Sequence, residues 1–222
     1  MGRSRRSAGE GESATRTAIL DAAERLFAQR GVQAVSNRQI ATAAGQGNTS
    51  VVGYYFESRA DLVRALVRRY NDRVDRVRDE MLAEIGDSAD PRDWIECLVY
   101  PYTDVFAAAG PPGCHAQFAA QAVADPALRK IVLEEASSPA LQRFLQGLNR
   151  CLPDLPPDVQ RERTRIASHI IVHTCADRER ALADGRAVQS PTWREAAAMM
   201  VDALVGLLTA PAPAGGPVPP IG

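Results

Sequence analysis

Residues 36–59 read SNRQIATAAGQGNTSVVGYYFESR, and the punctuation of this stretch decides the fold. Ser36 followed three positions later by Gln39 has the spacing of a capping box, with Val35 and Ile40 placed as a hydrophobic staple across it. A short helix therefore starts here, turns Ile40, Ala41 and Ala44 inward, and stops at Gly45, which permits a left-handed turn conformation. After a turn containing Gly47, Asn48 is placed to cap a second short helix that runs through Phe56, and Ser58 to cap a long one. Two short capped helices joined by a glycine-containing turn make a helix-turn-helix unit, whose second helix fits a major groove. A small packing subdomain has the same pattern, so the residues alone leave both readings open.

Outward from this unit the helical period continues. Upstream, Ile19, Ala22, Ala23, Leu26 and Phe27 repeat at i, i+3, i+4, i+7 and i+8 over about residues 15–30, and Gly31 supplies a stop. Downstream, Leu62, Leu66, Tyr70, Val74, Val77, Met81 and Ile85 line one face of the long helix begun at Ser58. Further helices are expected over about 91–109, up to Ala124, from Asp125 towards Cys151 with a disturbance near Pro139, over 158–183 and over 191–209. The expectation is an all-α chain of about nine helices, with a disordered basic arm over 1–14, a helix-turn-helix domain over 15–60, a larger helical domain over 61–210, and a disordered Pro- and Gly-rich tail over 211–222.

Charge separates the two ends. The net charge is −1, yet residues 1–70 hold eleven Arg against six acids, a local +5 that leaves −6 for the rest. A basic first third on an acidic body suits contact with a polyanion at one end. Cys97, Cys114, Cys151 and Cys175 are far apart without paired spacing, which suggests neither a zinc site nor a disulfide framework and fits reduced thiols in a cytoplasm. No secretory signal pattern opens the chain, and the most apolar run, Ala196 to Ala210, is too short for a bilayer and contains Asp202. No cofactor or membrane association is expected.

Residues 15–63 resemble the TetR family of regulators. The family's pattern is met by Thr17, Ile19, Ala22-Ala23, Leu26-Phe27, Gly31, Ser36, Ile40-Ala41, Ala44-Gly45, Tyr54-Tyr55-Phe56, Ser58-Arg59 and Leu62. The resemblance implies a DNA-binding transcriptional regulator, a repressor relieved by a small-molecule effector, with a long connecting helix, a ligand-binding helical domain and two final helices that form the dimer interface. Two departures stand out. The turn Gly45-Gln46-Gly47-Asn48 is one residue longer than the common form, and Gly53 replaces the usual tyrosine, which leaves Tyr54 to take over its phosphate contact.

The resemblance further implies that Ser36, Arg38 and Arg59 touch phosphate, and it places Tyr54 and Tyr55 at the DNA surface. Gln46, Asn48, Thr49 and Ser50 carry the chemistry for base edges, although Asn48 as an N-cap would be occupied. Arg3, Arg5 and Arg6 suit either a minor groove or a solubilising tail. Double-stranded DNA with an approximately palindromic site and a second copy of the chain are the implied partners. In the body, Trp94, Cys97, Tyr100, Tyr102, Phe106, His115, Phe118 and His173 lie in helices that surround the family's effector cavity, and plain core is the rival reading. His169 and His173, four apart, have metal-chelating spacing without a third ligand, and Cys114-His115 has the look of a nucleophile without an orienting group. The alternatives to an effector-controlled regulator are one of the same fold controlled by a protein partner, and an enzyme using Cys114 and His115.

Overall fold

The computed structural model describes residues 3–110 and 113–211, the stretch 3–11 as backbone alone. In chain order the helices are α1 Arg3–Arg30, α2 Asn37–Ala43, α3 Val51–Tyr55, α4 Arg59–Ile85, α5 Pro91–Ala109, α6 His115–Ala124, α7 Pro126–Ala136, α8 Pro139–Cys151, α9 Pro157–Ala183 and α10 Trp193–Thr209. The described residues hold ten helices and no strand, so the all-α expectation stands. The additional helix arises at Pro139, where the chain does not merely bend: Ser138 caps α8 through the Leu141 amide and Pro139 takes its first turn, where a missing N–H costs nothing.

The expected disordered arm is corrected, because α1 begins at Arg3 rather than near Thr15. Once the amphipathic segment has paid the cost of nucleation, each preceding residue joins with one more backbone bond. The arginines of that arm, Arg3, Arg5 and Arg6, have no described side chains, and the tail expected over 211–222 lies, after Pro211, outside the described residues.

Two apolar cores run along α4, which at 27 residues is about 40 Å long. The first joins Ile19, Ala23, Phe27, Ile40, Ala41, Val52, Phe56, Leu62 and Leu66 of the head to Phe118, Ala122, Leu128 and Ile131 of α6 and α7. The boundary expected near residue 60 is thus not a gap in packing: head and body share a core. The second core unites the end of α4 with α5, α8, α9 and α10 through Trp94, Ile95, Phe144, Leu148, Ala197, Met200 and Leu204. Trp94 lies so close on Gly147 that a Cβ there would sit 2.0 Å from the indole, which fixes the approach of α8 to α5.

A proline explains the most deeply buried charge. Pro101 lies inside α5 and lacks an N–H, so the carbonyl of Cys97, four residues earlier, loses its helical donor. Arg78 of α4, 2% exposed, donates its Nε to that carbonyl at 3.2 Å and pairs through Nη1 with Asp75 at 2.5 Å. The buried cation repairs the break that the proline makes.

Candidate nucleic-acid interface

The reading unit forms largely as its sequence dictates. Ser36 caps α2 by accepting from the Gln39 amide, and the Gln39 side chain accepts from the Ser36 amide at 2.8 Å. Val35 and Ile40 are buried beside it, and Gly45 takes φ +71° to leave the helix. The second short helix differs from expectation. It starts at Val51 with Ser50 at the N-cap, while Asn48 accepts the Ser50 amide on its Oδ1 at 2.9 Å. The longer turn has moved the helix start two residues on. Gln46, Asn48, Thr49 and Ser50 therefore occupy the turn and cap, with Tyr54 and Tyr55 on the helix itself.

The nine candidates separate by exposure. Arg38, Asn48, Thr49, Ser50 and Tyr54 face solvent. Ser36 is exposed with its hydroxyl engaged in the cap, and Gln46 is half-buried, its amide donating to the Ala44 carbonyl at 3.2 Å. Tyr55 is half-buried against the head core with its ring edge-on to Tyr54. Tyr54, 75% exposed, donates its hydroxyl to Glu12 at 3.3 Å, and the nearby carboxylate holds that phenol above its usual range.

Arg59 is placed otherwise than the resemblance implies. Its guanidinium turns inward over the Phe27 ring, 5.1 Å from the centroid, and donates through Nη2 to the Val35 carbonyl at 2.5 Å. Burial lowers its pKa. The residue ties the start of α4 to the stretch of chain entering α2. Ser58, one residue earlier, is the cap expected of it, accepting from the Asp61 amide.

Gly53 is exposed and helical, with nothing within 4 Å of a Cβ built on it. Gly53→Ala is therefore expected to raise stability by about 0.5–1 kcal/mol, read as a higher urea midpoint; a lower midpoint would mean that the glycine serves the free backbone and not the bound surface.

In the body the eight ligand candidates disperse. Trp94 is buried, donates to the Ser88 carbonyl at 2.9 Å, and lines an open groove of about 360 Å³ with Asp79, Leu82, Arg143 and Arg150. Tyr102, Phe106 and His115 belong to one aromatic run that also includes Trp193. Cys97 is buried beneath Arg78, and Tyr100 lies under the Arg194 guanidinium. Two assignments are corrected. Phe118 stacks on Phe27 in the head core, centroids 6.2 Å apart, and His173 is exposed on α9 beside His169. Helical periodicity marks an inward face but not which of two cores it enters.

His115 has a partner that sequence reasoning missed. Its Nδ1 lies 2.7 Å from the Glu24 carboxylate of α1, and both side chains are buried. Tyr70 of α4 stacks on the imidazole and donates to the other Glu24 oxygen at 3.3 Å. The available signal was the row Leu20, Glu24 and Ala28, at i, i+4 and i+8, all buried on α1 beside its main apolar stripe. Beside them, burial pushes the Cys114 thiol up to about 12, the reverse of an activated nucleophile. Among the described residues no group of three or more His, Cys, Asp or Glu is arranged to hold a metal.

Comparison with known proteins agrees with this geometry. The model of the tetR family of bacterial regulatory proteins matches residues 19–66, and the tetracyclin repressor-like C-terminal domain matches residues 96–206, half of the chain. The chain belongs to the TetR family. An uncharacterized HTH-type transcriptional regulator of Mycobacterium tuberculosis is 40% identical over 75 residues, 34% of this chain and 35% of that one. The HTH-type transcriptional repressor KstR2 of Rhodococcus jostii is 36% identical over 89 residues, 40% of this chain and 42% of the repressor. The matched region thus spans well under half the length of these curated relatives. A TetR family regulator from Marinobacter aquaeolei shares the fold at TM-score 0.59 and 17% identity, covering 90% of this chain and 97% of that one. The regulator FadR of Bacillus subtilis, solved with stearoyl-CoA, shares it at TM-score 0.51 and 16% identity, over 86% and 98%. Among the described residues no helix is long and apolar enough to cross a membrane.

Proposed function

We propose that this TetR family chain is a transcriptional repressor that binds an approximately palindromic operator as a homodimer and releases it when a small molecule enters the body. The observation that carries the DNA reading is the division within 36–59: Ile40, Val52 and Phe56 are buried, while Arg38, Thr49, Ser50 and Tyr54 are left in solvent on the turn and its two helices. Arg38 supplies a cation for phosphate, and Thr49 and Ser50 supply short polar groups for base edges. Repression is supported by the matched segment of the Rhodococcus jostii repressor. The test is fluorescence anisotropy with duplexes tiled across the DNA upstream of the chain's own coding sequence. One duplex containing an inverted repeat is expected to bind at least about a thousandfold tighter than the others at equal salt; equal binding to all tiles would reject the reading.

The surface for the second copy is α9 and α10. Met200, Leu204 and Leu208 fill the protomer's own core, whereas Met199, 66% exposed, and Ala203 and Gly206 face out on α10, with His169 and His173 exposed on α9. Small residues beside one large apolar side chain let helices approach closely, and an isologous contact uses them twice. Met199→Arg is expected to give folded monomers in sedimentation at micromolar concentration with little change in far-UV circular dichroism. A dimer undiminished by this change would place the contact elsewhere. Two-fold symmetry then sets the heads about 34–36 Å apart, one turn of DNA, or a multiple of it.

The effector reading rests on the family's C-terminal domain and on the Trp94 groove between α4, α5 and α8. The helix that lines it, α4, continues to the head, so a ligand that favours one setting of α4 alters the spacing of the two heads.

A further inference from the structure

The first turn of α6 is gripped from both sides by buried acids. On the head side, Glu24 of α1 holds the His115 ring, with Tyr70 of α4 stacked on that ring and bonded to the same carboxylate. On the body side, Glu179 of α9, 4% exposed, accepts the Gln117 amide at 3.1 Å. Cys114, the N-cap of α6, makes no side-chain cap bond, so Glu179 does that work from another helix. Gly113 makes room for it: a Cβ there would lie 2.9 Å from Glu179 Oε1.

We propose that this turn is a proton-operated joint between head and body, in which loss of the Glu179 proton from the Glu24, His115 and Glu179 cluster loosens the head and weakens operator binding. The DNA arm of the proposal rests on the operator reading above.

The physical basis is charge confined in a dry place. Facing the cluster are Asp21, Glu24 and Arg25 from α1, Arg69 and Tyr70 from α4, Cys114 beside α6, and Glu179 from α9. Of the cations, Arg69 is already paired with Asp21 at 2.5 Å. Burial, with a further contribution from the Glu24 charge, pushes Glu179 up to about 7, while burial holds His115 below its ordinary range. Protonated, Glu179 places no charge at the turn, and ionised, it places a buried negative charge across the contact that seats α1 on α6. The sign follows: a carboxyl raised on folding contributes stability that is fully present below its ordinary value of 4.5 and is lost as pH rises through about 7. The chain has three histidines, and the other two, His169 and His173, are exposed on α9 away from this turn.

Two measurements on the full chain separate the outcomes. In anisotropy with the tightest upstream duplex, wild-type affinity is expected to fall about three- to tenfold between pH 6 and pH 8, within the tenfold per pH unit that one proton permits. Glu179→Gln, which keeps an acceptor for the α6 amides, is expected to stay at the pH 6 affinity throughout. Without DNA, wild type is expected to melt with Glu179→Gln at pH 5 and about 2–4 °C below it at pH 8. If Glu179→Gln does not fold, Glu24→Gln must shift the wild-type midpoint to lower pH. A flat wild-type affinity profile or a Glu179→Gln profile with the wild-type slope overturns the joint. Failure of every duplex to bind at any pH rejects the operator reading, and the melting comparison then decides the proton step alone: equal wild-type and Glu179→Gln melting at pH 8 overturns it.

Discussion

Phe118→Ala is expected to lower the stability of the chain by about 3–5 kcal/mol in urea denaturation, the range for removing a buried aromatic side chain. Phe118 is 0% exposed and stacks on Phe27, itself 0% exposed, so the truncation leaves a void lined by α1, α4 and α6. The loss has a particular location. Phe118 belongs to α6 of the body, yet it fills the core of the head, and removing it weakens the apolar core that, with Ala122, Leu128 and Ile131, joins the two. The single transition of the wild type is therefore expected to split, with the head melting first when followed by amide exchange of residues 19–66. Leu133→Ala, at a residue 64% exposed, is the control and should change stability by no more than about 0.5 kcal/mol. A Phe118→Ala loss as small as the control's would mean that head and body do not share the core described above.

Much of this architecture was legible in local patterns. The capping box at Ser36 and Gln39, the turn at Gly45 and the cap at Ser58 each depend on a few neighbouring residues, and each stands where the sequence placed it. What the sequence concealed depends on residues far apart in the chain. Glu24 looked like one more solvated charge on α1, because only His115, 91 residues away, makes it a buried one. Arg59 looked like a phosphate contact, because its inward partner is the backbone carbonyl of Val35, which carries no side-chain signal. That Met200 and Leu204 of α10 fill the protomer's own core was not legible either, because an apolar helix face does not say whether its own subunit or another covers it. The extra residue in the turn before α3 was visible, and its effect on Ser50 as the N-cap was not, since Asn48 and Ser50 are equally good caps by type.

The second large effect separates two arginines that the sequence treated alike. Arg59→Ala removes a charged hydrogen bond to the Val35 carbonyl and the packing over Phe27, so it is expected to cost about 1.5–3 kcal/mol of stability. Its operator affinity falls with the fold. Arg38 is exposed and unlinked to the core, so Arg38→Ala is expected to leave the melting temperature unchanged and weaken all duplexes alike. Thr49→Ala belongs to a third class: a lost base contact costs about 1–3 kcal/mol on the best duplex and much less on one altered at the contacted base. Tyr54→Phe tests whether the exposed hydroxyl leaves Glu12 for a phosphate, which would show as lost affinity at constant melting temperature.

The salt dependence of operator binding tests the assignment of the 36–59 surface most directly. Each phosphate contact contributes about 0.9 to the slope of log affinity against log salt, because binding releases the counterions that the cation replaces. With melting temperature measured alongside, the account predicts that Arg38→Ala makes this slope shallower by about one unit while Arg59→Ala keeps the wild-type slope and loses stability instead. A wild-type slope in Arg38→Ala, together with a slope shallower by about one unit in a fully stable Arg59→Ala, would contradict it.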